Sequence, residues 1–159
     1  MNEICIIDAY NVIHAWGKLL SNRSSILTDQ DFLNMISSYA DCNNIQLIVV
    51  FDGSNQNAEA LKAQFRHLDL IFSSKDASAD SIIEKMVQEK SDNALISVVT
   101  SDNLERDIAM GAGARIYSPK MFLDHIRDSR EKLGKHITIN QNRSHKKGFT
   151  IGEILGDLK

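Results

Sequence analysis

Four aspartates stand where chemistry can gather. Three of them follow apolar runs of strand character: Asp8 after Ile4-Cys5-Ile6-Ile7, Asp52 after Leu47-Ile48-Val49-Val50-Phe51, and Asp102 just past Leu95-Ile96-Ser97-Val98-Val99-Thr100. The fourth, Asp80, lies in the first turn of a stretch with helical periodicity. In a parallel α/β sheet, ligands collect beyond the carboxyl ends of the strands, so these acids would converge on one edge. Convergent carboxylates repel one another and are costly unless a cation neutralises them. Oxygen donors without His or Cys select a hard ion, most naturally Mg2+ or Mn2+. Such an ion lowers the pKa of water and steadies the leaving oxygen of a phosphodiester. Each acid taken singly has a plainer reading. Asp8 can simply end a strand, and Asp80 is favoured by the helix dipole. It is the recurrence that argues for a joint role. Asn11 is read as the cap of the helix that follows and as a group able to reach whatever Asp8 holds. Glu84 lies one turn beyond Asp80 on the same helix face, and Asp107 is an outlying candidate.

Other chemistries find no purchase. There is no G-x-x-x-x-G-K-[ST] loop, no G-x-S-x-G elbow and no H-E-x-x-H among His14, His67, His125, His136 and His145. Gly111-Ala112-Gly113 lacks the last glycine of a dinucleotide fingerprint and precedes a strand. Tyr10 occupies the position where an aspartyl phosphotransferase would carry its second Asp.

The elements that must position the acids alternate. Strands are expected at 3–7, 45–51, 68–72, 94–100 and 114–117, each followed by a helix with apolar residues at helical spacing. Thr28 and Ser78 are expected as N-caps, and Ser118-Pro119 as a helix start. The pattern predicts a three-layer α/β sandwich with a central, mostly parallel sheet and helices on both faces. Residues 134–148 read as irregular or extended, with Thr150 capping a last short helix through Ile154 and Leu155. The expected division is an α/β domain over 1–133 and a basic C-terminal extension over 134–159, packed on or beside the same domain.

At 159 residues the chain suits one domain with a sizeable core. Cys5 and Cys42 have neither metal-ligand spacing nor a disulfide framework. The N-terminal apolar run is too short for a signal peptide or membrane span, and a cytoplasmic protein is expected. The net charge of −3 conceals an asymmetry. Residues 127–147 carry 7 bases and 2 acids, a balance of +5 against −8 for the rest. Such a segment suits contact with a polyanion, although a solvated tail has the same composition.

The segments Asp8-Ala9-Tyr10-Asn11-Val12-Ile13, Val49-Val50-Phe51-Asp52, Ser78-Ala79-Asp80-Ser81-Ile82-Ile83-Glu84 and Val99-Thr100-Ser101-Asp102 resemble the ordered motifs of the NYN-domain, PIN-like ribonucleases. The likeness is to the YacP-like branch, whose members are described as ribosome-associated mRNA endonucleases, and it spans nearly the whole chain. It departs at Ala9, where the family commonly has Gly. The resemblance implies a PIN-like fold and Mg2+-dependent RNA cleavage at a metal cluster of Asp8, Asp80 and Asp102. Asn11, Asp52 and Glu84 would support that cluster, Glu84 as a further metal ligand. The expected function is therefore a metal-dependent endoribonuclease acting on RNA, with mRNA on the ribosome as its context. Arg143, Lys146 and Lys147 would contact RNA phosphates or ribosomal RNA. The alternative is a non-catalytic RNA- or ribosome-binding adaptor on the same fold, against which the full set of acids argues.

Overall fold

A computed structural model describes the backbone of residues 2–19 and 28–145, and side chains as far as residue 134. In chain order the elements are β1 (Asn2–Asp8), α1 (Ala9–Leu19), α2 (Asp29–Asn43), β2 (Gln46–Phe51), α3 (Ala58–Gln64) and β3 (Asp69–Phe72). They continue as α4 (Ala79–Lys90), β4 (Ala94–Val99), α5 (Asn103–Gly111), β5 (Arg115–Tyr117) and α6 (Pro119–His145). The chain divides into two compact units, Met1–Asp124 and His125–Lys159. The strands, α1–α5 and the start of α6 belong to the first; the second continues α6.

The strands form one parallel sheet in the order β3-β2-β1-β4-β5. The chain winds outward from β1 through β2 to β3, then crosses to the far side of β1 for β4 and β5. This reversal leaves a crevice beyond the carboxyl ends of β1 and β4, the usual ligand position in open parallel sheets. Strand periodicity decides what faces it. Ile4 and Ile6, Ile48 and Val50, and Ile96 and Val98 share one sheet face. They pack against Ala79, Ile83 and Val87 of α4 and Ala109 of α5. Phe51 points the other way, meeting Phe32 of α2 and Tyr10 of α1 edge-on at 6.4 and 5.7 Å. Both faces are thus covered by helices, which explains why β1, β2 and β4 are apolar runs without alternation.

Local chemistry sets the helix ends. Thr28 and Asp31 form a reciprocal capping box on α2, and Asn44 closes that helix in the left-handed region at φ 52°. Ser78 accepts the Ser81 N–H at 3.2 Å and starts α4. Ser118 accepts the Met121 N–H at 3.1 Å and, with Pro119, opens α6.

Two expectations are corrected. Asn11 does not cap α1: the helix begins at Ala9, directly after the last residue of β1, which puts Asn11 inside the first turn. Nor does the chain become irregular at Gly134, because α6 runs on to His145. A mid-helix glycine costs only about 1 kcal/mol relative to alanine, and no proline follows to stop the helix. The short helix expected after Thr150 lies outside the described residues.

Candidate metal centre

Asp8 continues the series Ile4, Ile6 and so leaves the end of β1 on the α4 side of the sheet. Asp80 comes down to it from the first turn of α4, where Ser78 fixes the helix start. Glu105, in the first turn of α5, completes the group. Carboxylate oxygens of Asp8, Asp80 and Glu105 all lie within 4.8 Å of one another. Asp8 and Glu105 are buried and Asp80 is exposed, so the cluster has one open side.

A polar chain orients it. Asn11 donates through Nδ2 to Asp8 Oδ2 at 2.7 Å and to Thr100 Oγ1 at 3.2 Å. Its Oδ1 accepts from the Ser101 hydroxyl at 2.8 Å. The Thr100 hydroxyl in turn donates to Glu105 Oε2. Asn11 therefore ties the end of β1 to the end of β4 across the crevice. Oε1 of Glu105 is buried with no hydrogen-bond partner. An orphaned carboxylate oxygen is expensive in a protein interior and is a natural place for a cation.

Electrostatics agree. Burial first, and then the charges of Asp80, Asp52 and Asp102, push Asp8 up to about 6, although a hydrogen bond from the Asn11 backbone opposes the shift. Glu105 rises to about 7, chiefly through burial and further through Asp8, Asp80 and Asp102, with the Thr100 bond opposing. Asp80 is raised by burial and by Asp102 and Asp52. Without a counter-charge these groups resist being ionised together. The oxygen-only donor set, the orphaned Oε1 and the mutual repulsion all fit a hard divalent cation.

Asp102 stands at the N-cap of α5, where Oδ1 accepts the Glu105 N–H at 3.0 Å. Its charge nevertheless bears on all three clustered acids. Asp52 is exposed at the end of β2 and accepts the Ser73 hydroxyl at 2.9 Å, while the same hydroxyl takes the Gly53 N–H. Its charge also reaches Asp8 and Asp80. Glu84 is half-buried on α4 and accepts from Gln88 at 3.3 Å; Asp107 is exposed beside Arg106 at 3.9 Å. Neither belongs to the group of clustered oxygens. The Arg143 side chain, Lys146 and Lys147 lie outside the described residues.

Glu105 could not be singled out from the sequence. Asp102-x-x-Glu105 spells a capping box, in which the Glu would turn back to the N-cap N–H. Here Thr100 Oγ1 takes the Asp102 N–H at 3.0 Å, and the Glu105 carboxylate turns inward instead. The one clue is a hydroxyl residue two places before the cap, at the end of a buried strand.

A family model described as the YacP-like NYN domain matches residues 5–153. The uncharacterized protein YacP of Bacillus subtilis (strain 168) is 27% identical over 138 residues, covering 85% of this chain and 81% of that one. A crystal structure of Rae1 (YacP) from Bacillus subtilis, of a point mutant, superposes with a TM-score of 0.67 at 24% identity over 93% of this chain and 86% of that one. A second, also titled Rae1 (YacP), gives a TM-score of 0.66 at 21% identity over 97% and 88%. The two structural likenesses bear on the fold.

Proposed function

Because the chain belongs to the YacP-like NYN domain family, we propose that it is a metal-dependent endoribonuclease, cleaving RNA phosphodiester bonds at the cluster of Asp8, Asp80 and Glu105. The observation that carries this reading is the orphaned Oε1 of Glu105 set among acids that repel one another. Asp8, Asp80 and Glu105 would hold Mg2+ or Mn2+, with Asp102 and Asp52 adding negative potential and, through Asp102, a further oxygen. When bound, the cation supplies positive charge against the phosphate and lowers the pKa of an attacking water. Asn11 keeps the Asp8 carboxylate turned into the crevice, and Thr100 does the same for Glu105. The open side at Asp80 is the path for the substrate backbone. An exposed RNA strand meets an acidic rim there, so the basic segment 127–147 would supply the grip on the polyanion. The family resemblance implies mRNA on the ribosome as the substrate context, in the cytoplasm.

The test is cleavage of a single-stranded RNA with Mg2+ or Mn2+, with and without EDTA and with and without ribosomes. Internal cleavage that needs the cation and is lost in Glu105→Gln is expected. EDTA-resistant cleavage, or full activity in Glu105→Gln, would overturn the assignment.

A further inference from the structure

Past the carboxyl end of β2, on the sheet edge that also carries the acidic cluster, lies a cavity of about 370 Å3. It is bounded by the start of α2, the loop after β2 and helix α3, with Asp29, Gln30, Asn55, Asn57 and Gln64 on its walls and the buried Leu61 behind. Asn55 is committed twice: Nδ2 donates to Asp29 Oδ2 at 3.0 Å and Oδ1 accepts the Asn57 N–H at 2.7 Å. That clamp fixes the Asp29 carboxylate with its other oxygen left over. Asn57 stands at the N-cap of α3 but makes no side-chain cap, so its amide is not spent on the helix. The cavity therefore combines one held acceptor with carboxamides that both donate and accept, over an apolar floor.

Resting on the nuclease reading above, we propose that this cavity receives an unpaired nucleobase of the RNA strand flanking the scissile phosphate. The chemistry matches: a carboxylate accepts from an exocyclic amine, and Asn and Gln side chains pair with base edges in bidentate fashion. Sequence-specific recognition of single-stranded RNA works in this way, through bases splayed out of the strand. Asn55 and Asn57 follow Asp52 within the loop that leaves β2, so the cavity and that aspartate share one loop. A backbone crossing the open side of the cluster can turn one base into the cavity without leaving the sheet edge.

The experiment uses the full chain with single-stranded RNA oligonucleotides carrying each of the four bases on either side of a common cleavage site. Wild-type protein is expected to prefer one or two bases at one flanking position. Asn57→Ala and Gln64→Ala, both exposed and so tolerant sites, should flatten that preference by roughly tenfold, the size of one base contact. Mg2+ dependence should stay as in wild type. A parallel anisotropy titration in EDTA reads binding of the same oligonucleotides without cleavage. Cleavage with no base preference, or a preference unchanged in both variants, overturns the cavity assignment and leaves the nuclease reading standing. Base-selective binding that both variants lose, in a protein that never cleaves, supports the cavity and overturns the nuclease.

Discussion

Glu105→Gln should act in opposite directions on stability and activity. It removes one of three repelling charges and keeps the shape, so melting of the cation-free protein near neutral pH should shift upward, by about 2–4 °C for each kcal/mol relieved. Cleavage should fall on the order of 10²-fold or more, the scale on which single charge-handling groups act in active sites. Thermal scans in EDTA and a cleavage assay with Mg2+ read the two effects; loss of both stability and activity would make Glu105 a structural residue. The same acids set a pH dependence. Asp8 at about 6 and Glu105 at about 7 stand above the ordinary carboxylate values of roughly 4. The folded state therefore binds their protons more tightly than the unfolded chain does. Their contribution to stability is complete below about pH 4 and is lost as pH rises through 6 to 7. Melting temperature in EDTA should fall across that window, and Mg2+ should flatten the decline. A melting temperature in EDTA that climbs from acid to neutral pH would contradict the cluster.

At the scale of elements, the N-terminus of α5 separates two roles that Asp102 can play. Asp102→Asn keeps a capping oxygen and removes the charge, whereas Asp102→Ala removes both. The Ala variant should lose about 1 kcal/mol of stability and the Asn variant much less. If Asp102 also serves the cation, both should cleave poorly; full activity in Asp102→Asn would confine the residue to its cap. This position also shows what is legible in the sequence. Asp8, Asp52 and Asp80 can be placed because buried runs end abruptly on acids and Ser78 announces a helix. The alternation of strands and helices dictates the parallel sheet. Glu105 is hidden because its spacing from Asp102 already has a local explanation, and only the competing hydrogen bond from Thr100 turns it inward. Asn11 can be placed near Asp8 but not given its local role, since nothing in the sequence says that α1 starts without a linker. The length of α6 is obscured by Gly134, which weakens a helix without ending it.

Over the whole molecule, charge is divided between an acidic body and a basic segment. Replacing Arg143, Lys146 and Lys147 with Gln should weaken RNA or ribosome association and reduce the log-log salt slope by roughly 0.7 for each phosphate no longer neutralised. Mg2+ affinity should be unaffected. Binding unchanged at several salt concentrations would return those residues to a solvated surface. The strand order has a consequence of another kind, for the chain as it is synthesised. β1 is central in the finished sheet, yet its neighbours are made at very different times: β2 ends at Phe51 and β4 only at Val99. For the interval between them, one long edge of β1 has no partner, and the apolar run Ile4–Ile7 lies open to any passing strand. The emerging chain is thus most exposed to aggregation in the stage before β4 arrives, and a fragment ending near Asn93 should scatter light where the full chain does not. Docking of β4 closes that edge and, in the same movement, carries Thr100 and Glu105 to Asp8. The nascent protein acquires its protection and its acidic centre together.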